Sequence, residues 1–439
     1  MNKPTPPSNG RSLLPLLCFL ISYLGTGLSF YLSGDNFGFY SLPPAYATLP
    51  AILVAAWLSK SDIYQFVKIF FSGMLHINLL SMCLIFLLTG AFSLVAKSTG
   101  AVEAAVNIGL QLIPDGFLLP GMFIIAALVA TAMGSSVGTI ATISPIIIGI
   151  FDTININPLL VAGAVISGAM FGDNLSIISD TTIAATRTQD CRPRDKLREN
   201  LIIALPAALI TTLIFYWLTP YNPLTIAPEM EIIKVLPYLL IFVLAVCGVN
   251  VFVVLICGLV SAGTIGVITL NHYHLATLAD NIQQGAWGMR DITVLTLLIG
   301  GLGAVMESQG GVLYIRQKFN TLFTRIIKGS HSKAKRLKAE LSISSLVIMS
   351  NIATANNTTA IILSGQAARG IATTNNIPAR RSASLLDIFS CVIQGTIPWG
   401  VQILLLSASL SVSPLSVSMY SFYPMILALV TLAFIFLKP

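Results

Sequence analysis

Apolar runs long enough to cross a lipid bilayer recur along the whole chain, and they restrict its fold more than any other feature. A transmembrane helix needs about 20 predominantly apolar residues. The clearest runs of this kind are Leu13–Tyr31, Leu75–Val95, Leu201–Leu218, Val235–Cys257 and Phe422–Leu437. Only 9% of the 439 residues are charged, whereas soluble domains carry about 25%. The sequence therefore predicts an all-α, polytopic helical membrane protein embedded in a lipid bilayer.

Positive charge is concentrated in two segments that lie between apolar runs. One contains Lys196 and four arginines between Arg187 and Arg198, and the other extends from Arg316 to Lys338. Lys and Arg are enriched in cytoplasmic loops, so we predict that both segments, and both ends of the chain, are cytoplasmic. These loops explain the net charge of +7, and no nucleic-acid partner is predicted. Loop charge and hydropathy together predict roughly ten full crossings and two interrupted segments.

The interrupted segments are Met133–Pro145 and Met349–Thr359, where glycine, hydroxyl and amide side chains break an apolar run. Irregular backbone is tolerated at membrane depth only where it is buried in protein or lines a wet cavity. We therefore predict a broken or re-entrant helix in each segment.

The two halves of the chain align weakly with each other. Met133 pairs with Met349 at an offset of 216 (349 − 133), and Asp173 pairs with Asp387 at an offset of 214 (387 − 173). The segment after Asp173 is basic, whereas the segment after Asp387 is uncharged, so the halves are expected to run in opposite directions. Inverted repeats with broken helices at matching positions are typical of secondary transporters. We predict two inverted-topology repeats in one transmembrane domain, residues 1–220 and 221–439.

The segment Gly172–Thr182 places two carboxylates and several hydroxyl or amide groups directly after an apolar run. An ionised carboxylate at membrane depth costs roughly 2.5–3.5 kcal/mol on insertion scales, which favours a functional role. Sodium is a hard cation that prefers oxygen ligands. The ion-binding residues predicted here are Asp173, Asn174, Ser176, Asp180, Thr181 and Thr182, with Asp173 and Asp180 as the sodium ligands.

The second interrupted segment offers amides and hydroxyls of the same kind. We predict that Asn356, Asn357 and Thr358 complete the ion-binding set. Residues predicted to support the site are Ser135, Ser136, Thr139, Glu103, Glu307 and Asp387.

Structural roles for the same acids remain open at this stage. Asp173 could cap a helix, and Asp180 could pair with Arg187. Asp387 could pair with Arg380 or Arg381 near the cytoplasmic surface. Glu103 and Glu307 could mark helix ends.

A buried carboxylate that binds either a proton or a cation, at a site exposed alternately to the two sides, exchanges one ion for the other. Two carboxylates near one ion allow two protons per sodium, although the sequence does not fix this ratio. The prediction is a transporter and not an enzyme, with no cofactor besides the transported sodium and protons. The sequence leaves a homodimer open.

The segment Gly163–Thr182, an apolar run followed by polar residues, resembles the signature of the NhaC-type sodium/proton antiporters, in the ion-transporter superfamily. The family pattern is Phe-Gly-Asp followed by Ser-Pro-x-Ser-Asp-Thr-Thr, and Ile177 stands where the family usually has proline. Ile397-Pro398-Trp399, after Asp387, is similar to the family's Ile-Pro-Trp element. The resemblance covers most of the chain. It implies an antiporter of the bacterial inner membrane that exchanges sodium for protons.

Two other functions remain as alternatives. A sodium- or proton-coupled carrier of a small organic acid or amino acid would use the same fold, and Arg369 would favour it if that side chain faced the cavity. An intramembrane aspartyl protease would use Asp173 and Asp387 as an acid/base pair. Such proteases resemble Gly-x-Gly-Asp at one acid, and here Met170 occupies the first glycine position.

Overall fold

Every regular element in the described part of this computed structural model is a helix, and no strand occurs among those residues. This confirms the prediction of an all-α chain. The residues that the structure describes are 8–32, 44–59, 62–105, 114, 116–153, 156–177, 179–219, 232–311, 314, 317–318, 321 and 332–437.

In the first half of the chain, a short 3-10 helix precedes a series of α-helices. These are α1 Leu14–Leu32, α2 Pro44–Leu58, α3 Ile63–Met74, α4 Ile77–Ser98, α5 Leu118–Met133, α6 Ser136–Thr153, α7 Pro158–Leu175, α8 Asp180–Gln189 and α9 Pro193–Leu218. The predicted basic segment at 187–198 is thus mostly helical, because only residues 190–192 separate α8 from α9.

The second half continues in the same manner. Its helices are α10 Ile232–Val246, α11 Val251–Thr269, α12 Leu275–Gly288, α13 Arg290–Ser308, α14 Ser332–Thr354, α15 Asn357–Thr374, α16 Ala379–Gln394, α17 Val401–Leu410, α18 Pro414–Met419 and α19 Phe422–Leu437. Most of the predicted basic loop between α13 and α14 lies outside the described residues.

Five stretches of the described chain are long and apolar enough to cross a membrane: Leu79–Ser98, Pro158–Gln189, Pro193–Leu218, Val251–Thr269 and Arg290–Ser308. Apolar helices of 10–17 residues accompany them. These lengths agree with a multi-pass membrane protein. The figure of roughly ten crossings stays a prediction.

Helix α9 shows how the chain divides its surfaces between protein and lipid. Leu201, Leu205, Leu209, Leu213 and Trp217 recur every four residues and are exposed, and Trp217 is 82% exposed. Large apolar side chains on an outer face are unfavourable in water but not against lipid tails. The opposite face of α9 is buried and combines apolar residues with Lys196, Asn200 and Thr211, so the polar groups at this face lie inside the protein.

The two predicted interruptions are real helix breaks with the same local construction. Helix α5 ends at Gly134 (φ +67°), and Ser135 then accepts a hydrogen bond from the Gly138 amide, at 3.1 Å. Helix α14 ends before Ala355 (φ +49°), and Asn356 caps α15 through the amide three residues on, at 2.8 Å. Each break is therefore a left-handed residue followed by a capping side chain. The matching positions differ by 221 (355 − 134), five more than the sequence alignment gave.

The helices that follow the breaks pack across the two halves. Helix α5 packs against α7, as α14 packs against α16, and α6 packs against α7, as α15 packs against α16. In addition, α6 of the first half contacts α17 of the second, while α8 of the first contacts α15 of the second. Each half therefore completes the surroundings of the other half's broken helix.

Glycines bring α7 very close to α5. A Cβ built on Gly168 would lie 2.2 Å from the Phe123 carbonyl oxygen, and one on Gly172 would lie 2.2 Å from the Ala127 oxygen. Real Cβ atoms do not come this near to backbone, so only glycine fits at both positions. Because Gly172 immediately precedes Asp173, this close contact fixes the depth and orientation of that carboxylate.

Candidate ion-binding site

Asp173 lies in the last turn of α7, next to the first break, which separates α5 from α6. The Asp173 residue is 4% exposed. Its Oδ2 accepts a hydrogen bond from Ser136 Oγ at 2.8 Å. Ser136 is the first residue of α6, and its Oγ accepts in turn from Gln402 Nε2 of α17 at 2.9 Å. The positive end of the α6 dipole also favours a negative charge here. Three helices from both halves thus converge on one buried carboxylate.

The Ser-Asp-Thr-Thr segment is built around the gap between α7 and α8. Ser176 donates its hydroxyl to the Thr131 carbonyl at 2.8 Å, and Thr182 donates to the Ser176 carbonyl at 2.7 Å. Ser179 caps α8 by accepting from the Thr182 amide at 3.1 Å. These hydroxyl groups therefore form hydrogen bonds with backbone groups near the ends of α5, α7 and α8, where intrahelical partners are missing.

A fully buried lysine lies beside the gap between α7 and α8. Lys196 Nζ is 2.5 Å from Asp387 Oδ2, 3.0 Å from the Asn174 carbonyl oxygen and 2.8 Å from Thr182 Oγ1. Three acceptors match the three protons of an ammonium group. The lysine side chain therefore connects both sides of the gap between α7 and α8 to α16 of the second half.

Asn200, one turn further along α9, binds the same groups. Its Nδ2 lies 2.7 Å from Asn174 Oδ1 and 2.8 Å from Asp387 Oδ2. Several buried oxygens nearby have no hydrogen-bond partner among the described residues, namely Asp387 Oδ1, Asn200 Oδ1 and Gln402 Oε1. Buried polar atoms are normally satisfied, and carboxylate and amide oxygens are the ligands that a hard cation prefers.

The structure brings together six of the residues predicted from the sequence, and a seventh, Thr181, lies next to them. Thr181 is buried, with its hydroxyl 2.9 Å from Ser179 Oγ. The six that meet at the first break are Asp173, Asn174, Ser176, Thr182, Ser136 and Asp387.

Other predicted residues take different positions. Asp180 is the first residue of α8 and is exposed. Ser135 caps α6, and the buried Thr139 donates to the Ser135 carbonyl at 2.9 Å. Glu103 is exposed and Glu307 is half-buried, and no described hydrogen bond or ion pair joins either side chain to the cluster at the first break.

The predicted residues of the second half line the second break. Asn356 caps α15, Asn357 is buried and accepts from the Thr358 amide at 3.0 Å, and Thr358 is half-buried. A short chain of contacts connects this break with the lysine cluster. Asn351 donates to the Ser390 carbonyl at 2.7 Å, and the Ser390 hydroxyl donates to the Asp387 carbonyl at 2.9 Å.

Two charge assignments made from the sequence are wrong. Lys196 is not a solvated loop charge, because it is 0% exposed. The proposed pairing of Asp387 with Arg380 or Arg381 does not occur either. Arg381 binds Glu340 at 2.9 Å, and Arg380 lies 3.7 Å from Glu199.

Three residues of this cluster were not predicted from the sequence: Lys196, Asn200 and Gln402. The first two carried a signal, because they lie at i and i+4 and continue the buried face of α9 that includes Ala204 and Ala207. Gln402 lies at 1% exposure in the first turn of α17 and is followed by four apolar residues, and a buried amide in such a stretch is itself a sign of a polar partner.

Buried charges at paired helix breaks, inside an apolar helical chain, define a secondary membrane transporter. Residues 46–219 match the Na+/H+ antiporter family. The chain is 27% identical over 366 residues to the Na+/H+ antiporter NhaC of Bacillus subtilis, covering 77% of this chain and 80% of that protein. It is 24% identical over 371 residues to NhaC of Alkalihalophilus pseudofirmus, covering 79% and 80%.

A third relative is the malate-2H+/Na+-lactate antiporter of Bacillus subtilis, which is 32% identical over 204 residues, 46% of this chain and 43% of that protein. These matches support the resemblance to the NhaC-type sodium/proton antiporters. Together with the apolar helices they indicate a multi-pass bacterial membrane protein. The relatives are antiporters, which agrees with the prediction of a transporter and not an enzyme.

Proposed function

We propose that this protein exchanges sodium for protons across the bacterial inner membrane, and that its buried carboxylates bind either ion. Asp173 carries the proposal. Among the contacts described for this carboxylate there is one hydrogen bond, from Ser136, and no ion pair. A buried carboxylate without a countercharge is costly, so it takes up either a proton or a cation. The two NhaC relatives are named for exchange of these two ions.

The oxygens around Asp173 and Asp387 would complete the sodium shell. Ser136 Oγ lies against Asp173, and the unpaired Asp387 Oδ1 and Asn200 Oδ1 belong to the adjoining lysine cluster. Asp180 and the other ion-binding residues predicted from the sequence also belong to the proposed site. Asp180, exposed beside the same break, would meet the ion on its way to or from Asp173. The remaining members are Asn174, Ser176, Thr181, Thr182, Asn356, Asn357 and Thr358.

Alternating access would come from two inverted repeats, residues 1–220 and 221–439, that rock against each other. The reciprocal contacts of α6 with α17 and of α8 with α15 support this arrangement, because a pseudo-two-fold axis generates contacts in such pairs. A movement of one half would then expose Asp173 first to one side and next to the other. In this proposal both ends of the chain are cytoplasmic.

The test is proton flux in proteoliposomes containing the purified protein and a trapped pH dye, on addition of sodium. We expect sodium-dependent flux from the wild type and none from Asp173→Asn. Asp190→Asn is the matched control, because Asp190 is exposed and its left-handed conformation (φ +58°) suits asparagine. Wild-type flux in Asp173→Asn would refute the site, and no flux from the wild type with any alkali cation would refute the exchange.

Exchange of a small organic acid is the second candidate, because one relative is named as an antiporter of malate, protons, sodium and lactate. The first residues of α6 and α15, Ser136 and Asn357, begin helices at the two breaks, and such helix ends attract carboxylates. Arg369 does not support this candidate, since it is half exposed and pairs with the exposed Asp190 at 3.1 Å. Sodium-dependent uptake of labelled malate or lactate in the same vesicles separates the two functions.

A further inference from the structure

We infer that Lys196 sets the net charge of the ion site and limits the exchange to one proton per sodium. The inference rests on the proposed antiport and goes beyond it by fixing the coupling ratio. The two buried carboxylates of the cluster, Asp173 and Asp387, would alone permit two protons per sodium. The lysine removes one of these two charges from the exchange.

The count of buried charges supports this ratio. The charged side chains that are buried in the described part of the chain are Asp173, Lys196, Glu340, Arg381 and Asp387. Glu340 and Arg381 form their own ion pair at 2.9 Å and cancel each other. Lys196 cancels Asp387 at 2.5 Å. One negative charge remains, and it lies on Asp173.

The lysine is fixed in place. Its ammonium is bound to Asp387, to the Asn174 carbonyl and to Thr182, and it is 0% exposed. These partners lie on α7, α8 and α16, so any movement of the ammonium breaks three polar contacts at once. The ammonium therefore remains with the protein while the transported ions come and go.

One net negative charge is neutralised by one monovalent cation. The site is balanced with one sodium ion or with one proton, and a second cation would leave an uncompensated positive charge in a buried place, which is as costly as the negative one. Each half-cycle therefore carries one positive charge, and the whole exchange moves no net charge across the membrane. A membrane potential should consequently have no effect on its equilibrium.

A ratio of two protons per sodium would behave differently. Each cycle would then move one net charge, and a potential of about 100 mV would contribute about 2.3 kcal/mol. At 1.36 kcal/mol per factor of ten, the sodium gradient that balances a fixed pH gradient would shift about 50-fold.

The experiment locates this balance point in proteoliposomes, with the potential set by potassium and valinomycin at zero or about 100 mV. We expect no shift for the wild type and none for Lys196→Arg, which keeps the charge. We expect a shift of about 50-fold for Lys196→Gln, which leaves two uncompensated carboxylates. Lys196→Gln combined with Asp387→Asn should return the balance point to the wild-type position.

A wild-type balance point that shifts about 50-fold with potential would overturn the inference and leave the antiport intact. So would a Lys196→Gln protein that exchanges ions with an unshifted balance point. Absence of sodium-dependent proton flux from the wild type would instead overturn the proposed function, and this inference with it. The wild-type measurement decides the ratio even if Lys196→Gln does not fold.

Discussion

Asp387→Asn should destabilise the protein strongly, because it removes the anionic partner of a buried lysine while keeping the shape of the side chain. Both groups of this pair are 0% exposed, and Nζ lies 2.5 Å from Oδ2. Breaking a buried ion pair by removing one partner typically costs about 3–5 kcal/mol, because the remaining charge is left without compensation. Lys196 would keep the Asn174 carbonyl at 3.0 Å and Thr182 Oγ1 at 2.8 Å, so we expect a cost near the lower end, about 3 kcal/mol.

The second half of this prediction concerns removal of both charges. Lys196→Met with Asp387→Asn removes both charges of this pair, and replacing a buried pair by uncharged groups of similar volume is often neutral. We therefore expect the double variant to be more stable than Asp387→Asn alone, with a coupling energy of about 2 kcal/mol or more. Strong non-additivity is the sign that the two groups act on each other and not on separate partners.

The measurement is the apparent melting temperature of the purified protein in detergent, for the two single variants and the double variant. The exposed pair Arg369–Asp190, at 3.1 Å and with side chains 53% and 78% exposed, provides the control. Exposed pairs contribute under about 1 kcal/mol, so Asp190→Asn should melt close to the wild type. Equal melting temperatures for Asp387→Asn and Asp190→Asn would contradict this prediction. So would a double variant whose change in melting temperature is only the sum of the two single changes.

Further outcomes follow from the packing around the site. Gly172→Ala puts a Cβ 2.2 Å from a facing carbonyl oxygen of α5, so it should lower both the melting temperature and the flux. Gly370→Ala is the control and should be tolerated, because nothing lies within 4 Å of its Cβ. Equal melting temperatures of the two variants would contradict the helix contact. Ser136→Ala removes the described hydrogen bond to the exchanging carboxylate and should weaken apparent sodium affinity about tenfold; an unchanged sodium dependence of flux would argue against this ligand. Arg381→Gln strips the buried Glu340 of its 2.9 Å partner and should lower the melting temperature by more than Arg380→Gln, which changes an exposed side chain; the reverse order would be inconsistent with the ion pairs.

Much of the fold could be predicted from the sequence because the features involved are local. Apolar runs mark helices, and glycine, hydroxyl and amide groups mark the breaks at Gly134 and Ala355. The two breaks lie 221 residues apart, whereas the sequence alignment paired the halves at an offset of 216, because it matched residue types. Ser135 and Asn356 perform the same kind of capping with different side chains. The breaks therefore resemble each other in backbone conformation, which residue identity does not record.

The site was predicted where an acid stands next to an apolar run, as Asp173 does. Lys196 was missed because a cation near other cations, at the end of a helix, is normally solvated. Long lysine side chains usually reach outward to the membrane surface, whereas here the chain reaches inward to Asp387. That partner comes from the other half of the protein, so its proximity depends on how the halves pack and not on neighbouring residues.

The helix face on which a charged residue lies was nevertheless a better guide to its burial than the charge of its neighbours in sequence. Two helices show this. On α9 the buried positions Lys196, Asn200, Ala204 and Ala207 follow each other at helical spacing, so the apolar face of the helix continues through its charged end. On α14 the buried positions Glu340, Ser344, Val347 and Asn351 do the same, and there the acid at the end of the face is also buried and paired. A charged residue that extends the buried face of such a helix by one turn is therefore better interpreted as a buried, paired ion than as a solvated loop charge. In this chain both such residues bind a partner on α16.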